Sequence, residues 1–406
     1  MNERVRRTLV MLSASFALAF TASSMTSGPG SAALVALSRE ASFAGLYVAL
    51  LYVGAAIGAA IGGRAMDRWG RRPVLIAGQA IGALGYAIAG SGVALTTLAI
   101  FIGGVLFIAI ALGIGGLTRI AAAEIVPPDE RGRGIAWVQT SALAGAIAGP
   151  LLLVLTEPLG HAIGRDPLAI VWWLAPPLVI AGALALSRAA EPMTIAKEIE
   201  RGQPQTAGGM RDASAVSSRR LLVVGVVTLA ASQAAMASVM GIAGVAVVHA
   251  GHGASVLGWI MMLHFVGMFG LSRVVGHATD RWGRRATILV GLVMLALGGG
   301  VVALLPGMAG FGLGIFLVGL GWSFAFVGAS VLLTDITAPS RRARILGRAD
   351  LITQLTAAVV STGGGFWFAA NGLGGLGVLA IAVVTLPAVT VLFVEESLPG
   401  RYGIAQ

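Results

Sequence analysis

Residues 63–75 read GRAMDRWGRRPVL, and residues 276–288 read GHATDRWGRRATI. The hexapeptide DRWGRR therefore stands twice, with its aspartates Asp67 and Asp280 separated by 213 residues (280 − 67). Each copy closes one apolar run and opens the next, so the most charged stretches of the chain punctuate its most apolar ones. About 20 consecutive apolar residues are what a roughly 30 Å hydrocarbon core demands. Working outward from the first copy, such windows fall near 8–37, 43–63, 74–91, 95–118, 135–156 and 167–187. Around the second they fall near 221–248, 255–272, 286–305, 311–333, 350–370 and 376–394. Six and six predict an all-α integral membrane protein with 12 transmembrane helices in two six-helix bundles.

Composition agrees. Of 406 residues, 57% are hydrophobic and 11% charged, against about a quarter charged in an ordinary soluble domain. A formal charge of +10 would point to nucleic acid in a soluble protein. Here the basic residues stand singly or in short clusters between apolar blocks, which excludes that partner. The chain has no cysteine, so disulfides, thiolate metal sites and cysteine nucleophiles are excluded. No His/Glu metal spacing, Ser-His-Asp set or nucleotide loop stands in it, so neither an enzyme nor a metal or cofactor is expected. The run from Thr8 to Leu37 exceeds the 7–15 residues or so of a signal-peptide core and reads as a first helix that stays. Arginine-, alanine- and glycine-heavy usage, with Lys197 the only lysine among 27 basic residues, suggests a bacterial cytoplasmic (inner) membrane.

The only long polar stretch is 188–220, read as a cytoplasmic linker with a short helix near 194–201. It divides an N-terminal bundle, 1–187, from a C-terminal bundle, 221–406. If the amino terminus is cytoplasmic, 25 of the 27 basic residues face inside and only Arg39 and Arg165 face outside. The positive-inside rule then places both termini in the cytoplasm. Tryptophans suit the same orientation, with Trp69, Trp137 and Trp282 at inner boundaries and Trp172, Trp173 and Trp259 at outer ones, where amphipathic rings belong.

The duplication extends past DRWGRR. EIVPPDERGRG at 124–134 follows the fourth span, and DITAPSRRARI at 335–345 follows the tenth. Glu124 and Asp335 lie 211 residues apart (335 − 124). Two six-span copies in one orientation imply halves related by an axis along the membrane normal. In each loop a glycine, Gly70 or Gly283, permits the tight return into the membrane. The arginines prefer the interface and its anionic headgroups. The aspartate is the odd member, since the carboxyl end of a helix disfavours an anion; it needs a partner.

Carried on these residues, the chain resembles the major facilitator superfamily of transporters over essentially its whole length. The family's loop signature, Gly-x-Leu-Ala-Asp-Arg-x-Gly-Arg-Lys, is matched by Gly63, Asp67, Arg68, Gly70, Arg71 and Arg72. It is matched again by Gly276, Asp280, Arg281, Gly283, Arg284 and Arg285. ALAGAIAGPLL at 142–152 resembles the helix-5 Gly-Pro motif of proton-driven exporters at Gly145, Gly149 and Pro150, with leucines where the motif continues in glycines. The resemblance implies that the loop aspartates meet the other bundle: Asp67 the turn near Arg348–Leu351, and Asp280 the start of helix 5 near Arg133–Ile135. With Glu124, Arg131, Asp335 and Arg342 they would form a latch that holds the cytoplasmic side shut. The plainer reading is that DRWGRR is topogenic charge alone.

Ionisable residues within spans are candidates for function. His264 stands near mid-span in helix 8, either as a coupling-proton carrier or as a packed histidine. Arg119 lies at the cytoplasmic end of helix 4, snorkelling, pairing or touching substrate. The resemblance implies a cavity lined by helices 1, 4, 7 and 10, and the polar candidates there include Ser24, Thr26, Gln233 and Trp322. Each of these serves equally well to bridge helices. Together they describe a lightly polar pocket with hardly a carboxylate, suited to a neutral, amphipathic or anionic solute. The expected function is secondary active transport of a small organic solute, as proton-coupled efflux by the exporter resemblance; the alternative is an importer or facilitator of a small metabolite. The expected partners are that small-molecule substrate, protons and membrane lipids, and the resemblance implies a monomer.

Overall fold

In hydrocarbon every backbone N–H and C=O must be satisfied within the segment, and the chain meets that demand with helices. The computed structural model describes residues 3–126, 131–202, 219–337 and 339–393. Among these, 11 helices are long and apolar enough to cross a membrane. In order they are spans 1 (Glu3–Ser38), 2 (Ala41–Trp69), 3 (Arg71–Ala94), 4 (Leu98–Ala122), 5 (Thr140–Ile163) and 6 (Pro167–Ser187). Then come spans 7 (Arg219–His249), 8 (Ala254–Thr279), 9 (Arg284–Leu304), 10 (Gly307–Asp335) and the stretch Ile345–Leu392. That last stretch of 48 residues would measure about 72 Å as one helix, over twice a hydrocarbon core. It is broken at Gly372, whose φ of 62° and ψ of −161° are not helical, and the Trp367 indole N–H bonds the Gly375 carbonyl across the bend at 2.8 Å. Spans 11 and 12 lie on either side, giving twelve crossings.

The sequence repeat is a structural repeat. Gly70 and Gly283 turn the chain with φ of 92° and 90°, a left-handed conformation that costs glycine nothing. Arg72 Nη2 then bonds the Ser187 carbonyl at 2.7 Å, and Arg285 Nη2 the Leu392 carbonyl at 2.5 Å. Each loop thereby ties down the far end of its own sixth span. Spans 3 and 4 meet at Gly85 and Gly104, and spans 9 and 10 at Gly298 and Gly314. Small residues let membrane helices approach this closely.

In the linker the short helix runs Pro192–Gly202, and Glu198 pairs with Arg4 of span 1 at 3.0 Å. Glu191 lies just ahead of it. Its carboxylate accepts the Arg71 and Arg72 backbone N–H groups at 2.7 and 3.1 Å, capping the start of span 3.

Spans 1–6 meet spans 7–12 at the ends away from DRWGRR. Gly28 packs on Gly244 and Leu257, Pro150 on Gly258, and Ser42 on Gly365. The Ser361 hydroxyl donates to the Gly45 carbonyl at 3.1 Å. Glu157 of span 5 accepts the Ser255 backbone N–H at 2.6 Å, one residue into the helix that begins at Ala254. At the DRWGRR ends the two sets part. Asp67 is 77% exposed there, and a groove of about 590 Å³ opens within the first bundle, between Val10–Ala17 and Trp137–Ser141. Among the described residues the contacts between the bundles gather at the arginine-poor side, and the arginine-rich side is the more open one.

Five of the six belt tryptophans are exposed at the ends expected of them; Trp172 is not. It is fully buried and meets Phe101 edge-to-face at 5.2 Å. Adjacent residues on a helix point about 100° apart, so only Trp173 of that pair reaches the lipid face.

Candidate functional site

At the open rim Arg71 gathers the acids of its own bundle. Its Nε and Nη2 each reach Glu124 at 2.9 Å, and its Nη1 reaches Asp67 at 2.9 Å. The two-pronged grip on Glu124 is the strong geometry for a guanidinium and a carboxylate. In the second bundle Arg284 Nε donates to Asp335 at 2.8 Å. Arg68 stacks over Trp69 at 5.8 Å, and Arg281 is exposed. Gly63 and Gly276 face open space. The side chains of Asp280, Arg131 and Arg342 lie outside the described residues. In this conformation Asp67 therefore pairs within its own bundle rather than with the turn at Arg348–Leu351; with the rim apart, the contact implied by the resemblance is out of reach.

The helix-5 motif is a packing seam. A Cβ on Gly145 would meet the Ala17 carbonyl at 2.6 Å, and one on Gly149 would meet the Thr21 carbonyl at 2.5 Å. The two glycines let spans 1 and 5 touch, and the Ser24 hydroxyl donates to the Gly145 carbonyl at 2.9 Å. Pro150 lies next to them, its carbonyl 2.8 Å from where a Cβ on Gly258 of span 8 would stand. Ser24 is thus used within the seam. Thr26 is used likewise, returning its hydroxyl to the Ala22 carbonyl at 2.9 Å. Hydroxyls in helices commonly bond back to the preceding turn, which keeps both out of the central space.

His264 is fully buried. Its Nδ1 stands 2.9 Å from the Ile315 carbonyl; a carbonyl only accepts, so Nδ1 carries the proton. Nε2 is then a bare acceptor, buried without a hydrogen-bond partner among the described residues. The histidine ties span 8 to span 10, immediately before a five-residue π-helical turn, Val266–Gly270. Such turns are rare and concentrate at functional places.

Gln233 and Trp322 meet Tyr52 where the two bundles join. The Trp322 indole N–H donates to Gln233 Oε1 at 2.7 Å, and Gln233 Nε2 donates to the Tyr52 hydroxyl at 2.8 Å. The chain links span 10 to span 7 and span 7 to span 2, so it joins the two bundles. Gln233 stands 14 residues (233 − 219) into its helix, about 21 Å along it and near mid-membrane. Below it Trp322 stacks on Phe326 with centroids 4.7 Å apart and receives the edge of Phe269 at 6.2 Å. Phe269 meets Phe20 of span 1 at 5.8 Å. Arg119 interacts electrostatically with Asp350 across the bundles, and both are exposed toward the open side.

Three participants escape a sequence reading. Tyr52 is one of four tyrosines, and its position in an apolar run was the available signal. Asp350 falls where a span window begins, so it reads as a boundary charge. Glu157 lies in LTEPLG, which reads as the end of a span and hides its reach across to span 8.

The family model described as Major Facilitator Superfamily matches residues 8–251. YdeG, an uncharacterized MFS-type transporter of Bacillus subtilis, is 30% identical over 87% of this chain and 84% of its own length. The riboflavin transporter RfnT of Brucella anthropi is 27% identical over 95% of each chain. Among solved structures, the xylose transporter XylE of E. coli in a partially occluded inward-open conformation superposes with a TM-score of 0.73. That match is 17% identical and covers 98% of this chain and 99% of the other, a likeness of fold.

Proposed function

This chain belongs to the major facilitator superfamily, a multi-pass membrane transporter and not an enzyme, and on that premise we propose that it carries a small uncharged organic solute by alternating access. The observation that carries the reading is the Tyr52–Gln233–Trp322 chain. It is polar, near mid-membrane and shared by both bundles. A binding group that both bundles contribute is what rocking of one bundle against the other requires. The arginine-rich side is the cytoplasmic one by the positive-inside rule, so the conformation is inward-facing, with both termini inside a bacterial inner membrane and the chain working as a monomer. The DRWGRR aspartates latch the opposite, outward-facing state.

Amide, phenol and indole suit an uncharged solute, and none of the three carries a proton for coupling near neutral pH. Uptake or facilitation down the solute's own gradient is the direct reading, and the riboflavin transporter among the relatives supports a metabolite as cargo. Proton-coupled efflux is the second reading. The helix-5 Gly-Pro residues favour it, and Asp350, facing Arg119, offers it an acidic group on the open side. Proteoliposome flux against a panel of solutes, with and without a pH gradient, tests both. Flux unaffected by the gradient upholds facilitation; flux that needs an opposing proton gradient upholds exchange. No flux of any solute refutes the transporter reading.

A further inference from the structure

We propose that the solute is a flat, uncharged heteroaromatic compound bearing an amide-like N–H/C=O edge, read by Gln233 and Tyr52 and stacked against Trp322. This rests on the transporter reading above and names its substrate class. An indole N–H only donates, so its bond to Gln233 at 2.7 Å fixes which end of the amide is oxygen. A primary amide has two N–H donors and two acceptor positions. Trp322 takes one acceptor position and Tyr52 one N–H. One N–H and one oxygen lone pair remain on Gln233, and Tyr52 retains its own O–H. A donor beside an acceptor on one planar group is the complement of a lactam, imide or carboxamide edge, which presents the same pair reversed.

The surroundings specify flatness. Phe20, Phe269, Trp322 and Phe326 form an unbroken run of rings from one bundle to the other. They are partly exposed, unlike the core pair Phe101–Trp172. Partly exposed rings near mid-membrane present apolar faces to an entering solute. A saturated polyol would strip its own hydroxyls of water against them with too few partners in return. A flat cation would need a carboxylate at the ring cluster, and none takes part in the contacts described there. An uncharged flat molecule gains from stacking and from the amide edge together.

The test uses the purified full-length chain in nanodiscs and lumichrome, a flat uncharged tricycle with an imide edge, whose fluorescence an indole quenches on stacking. D-Xylose and the flat cation proflavine are the comparison probes. Lumichrome is expected to bind with quenching and to be displaced by neither comparison probe. Trp322→Leu and Gln233→Leu are each expected to weaken it about tenfold or more, equivalent to about 1.4 kcal/mol. Trp322→Phe, which keeps a ring and loses the N–H, falls between, and lipid-facing Trp173→Leu leaves binding unchanged. Equal lumichrome binding by wild type and Trp322→Phe or Trp322→Leu overturns the proposal, as does tighter binding of xylose or proflavine. Flux of a saturated or charged solute without lumichrome binding overturns it while sparing the transporter reading. Lumichrome held at Trp322 with no flux of any solute upholds it and sinks that reading instead.

Discussion

Glu157→Gln is expected to loosen the closed side. Glu157 Oε2 accepts the Ser255 N–H at 2.6 Å, at the first turn of the span 8 helix, so a carboxylate of one bundle caps a helix of the other. A carboxylate at a helix amino terminus contributes about 0.3–1 kcal/mol when exposed and about 2 when partly buried. A hydrogen bond to a charged group contributes about 1.5–3 kcal/mol. The two figures describe one interaction and are not summed. Glutamine keeps a carbonyl acceptor and loses the charge, which leaves a loss of about 1–2 kcal/mol, a factor of about 5–30 in a two-state ratio. Because the contact exists only while this side is shut, the whole loss appears in the inward/outward equilibrium.

The absence of native cysteine makes the measurement clean. Spin labels at Ile163→Cys and Leu305→Cys, exposed positions in different bundles, report the separation of the bundles at the arginine-poor end. Wild type is expected to give one dominant short distance. Glu157→Gln raises the ratio of long to short by about 5–30-fold. Gly244→Val, which forces a side chain against Gly28 in the same seal, shifts the distribution the same way and shows that the labels can see opening. An unchanged distribution in Glu157→Gln, with Gly244→Val shifted, refutes the reasoning.

Asp67→Asn, with its carboxylate free to leave Arg71, is expected to slow turnover by about 2- to 30-fold, the worth of an anion on a helix amino terminus. Membrane insertion, followed by expression and monodispersity, is expected to be intact, and normal turnover removes the latch. His264→Ala removes the imidazole donor to the Ile315 carbonyl, costing about 0.5–1.5 kcal/mol for the hydrogen bond and read as a lower melting temperature. Gradient-driven flux per folded molecule is expected to persist, and its loss makes the histidine a proton carrier. Arg119→Gln and Asp350→Asn are expected to change flux alike, and the double variant no more than either. Additive effects show that the two residues act apart.

Most of the fold is legible in the sequence because the bilayer imposes one length and one backbone solution, and because the chain repeats its loops at a constant offset. The span count holds at Gly372, where a non-helical residue breaks the stretch and its length exceeds one hydrocarbon thickness. The linker helix, placed near 194–201, runs Pro192–Gly202, the small error expected where polar residues set the boundary. Side-chain direction is what a linear reading lacks. Ser24 and Thr26 look like cavity residues by composition, yet their hydroxyls turn back on backbone carbonyls. Trp172 and Trp173 look alike, yet one is buried in the core and the other faces lipid. Glu157, Asp350 and Tyr52 act across the two bundles, over separations of roughly 100 residues or more, and no local pattern encodes a partner so distant.

The two sides of the molecule use one physical device at opposite ends. On the closed side, a carboxylate of the first bundle sits on the amino terminus of a helix in the second, surrounded by glycines that let backbones touch. On the open side stand two more carboxylate-bearing loops, each with a glycine, Gly63 or Gly276, that meets nothing within 4 Å among the described residues. A glycine inside a helix is destabilising by roughly 0.5–1 kcal/mol against alanine, and in this conformation neither glycine receives anything in return. At the closed side Gly28, Gly244, Gly258 and Gly365 are each met by the other bundle. If rocking exchanges one seal for the other, the empty glycines of the DRWGRR rim are the contact surface of the state not seen. The equilibrium between the two states is then set by the difference between two similar clasps, each worth a few kcal/mol at most. A difference that small suits a carrier, since a solute must be able to tip the balance in either direction with the modest energy of its own binding.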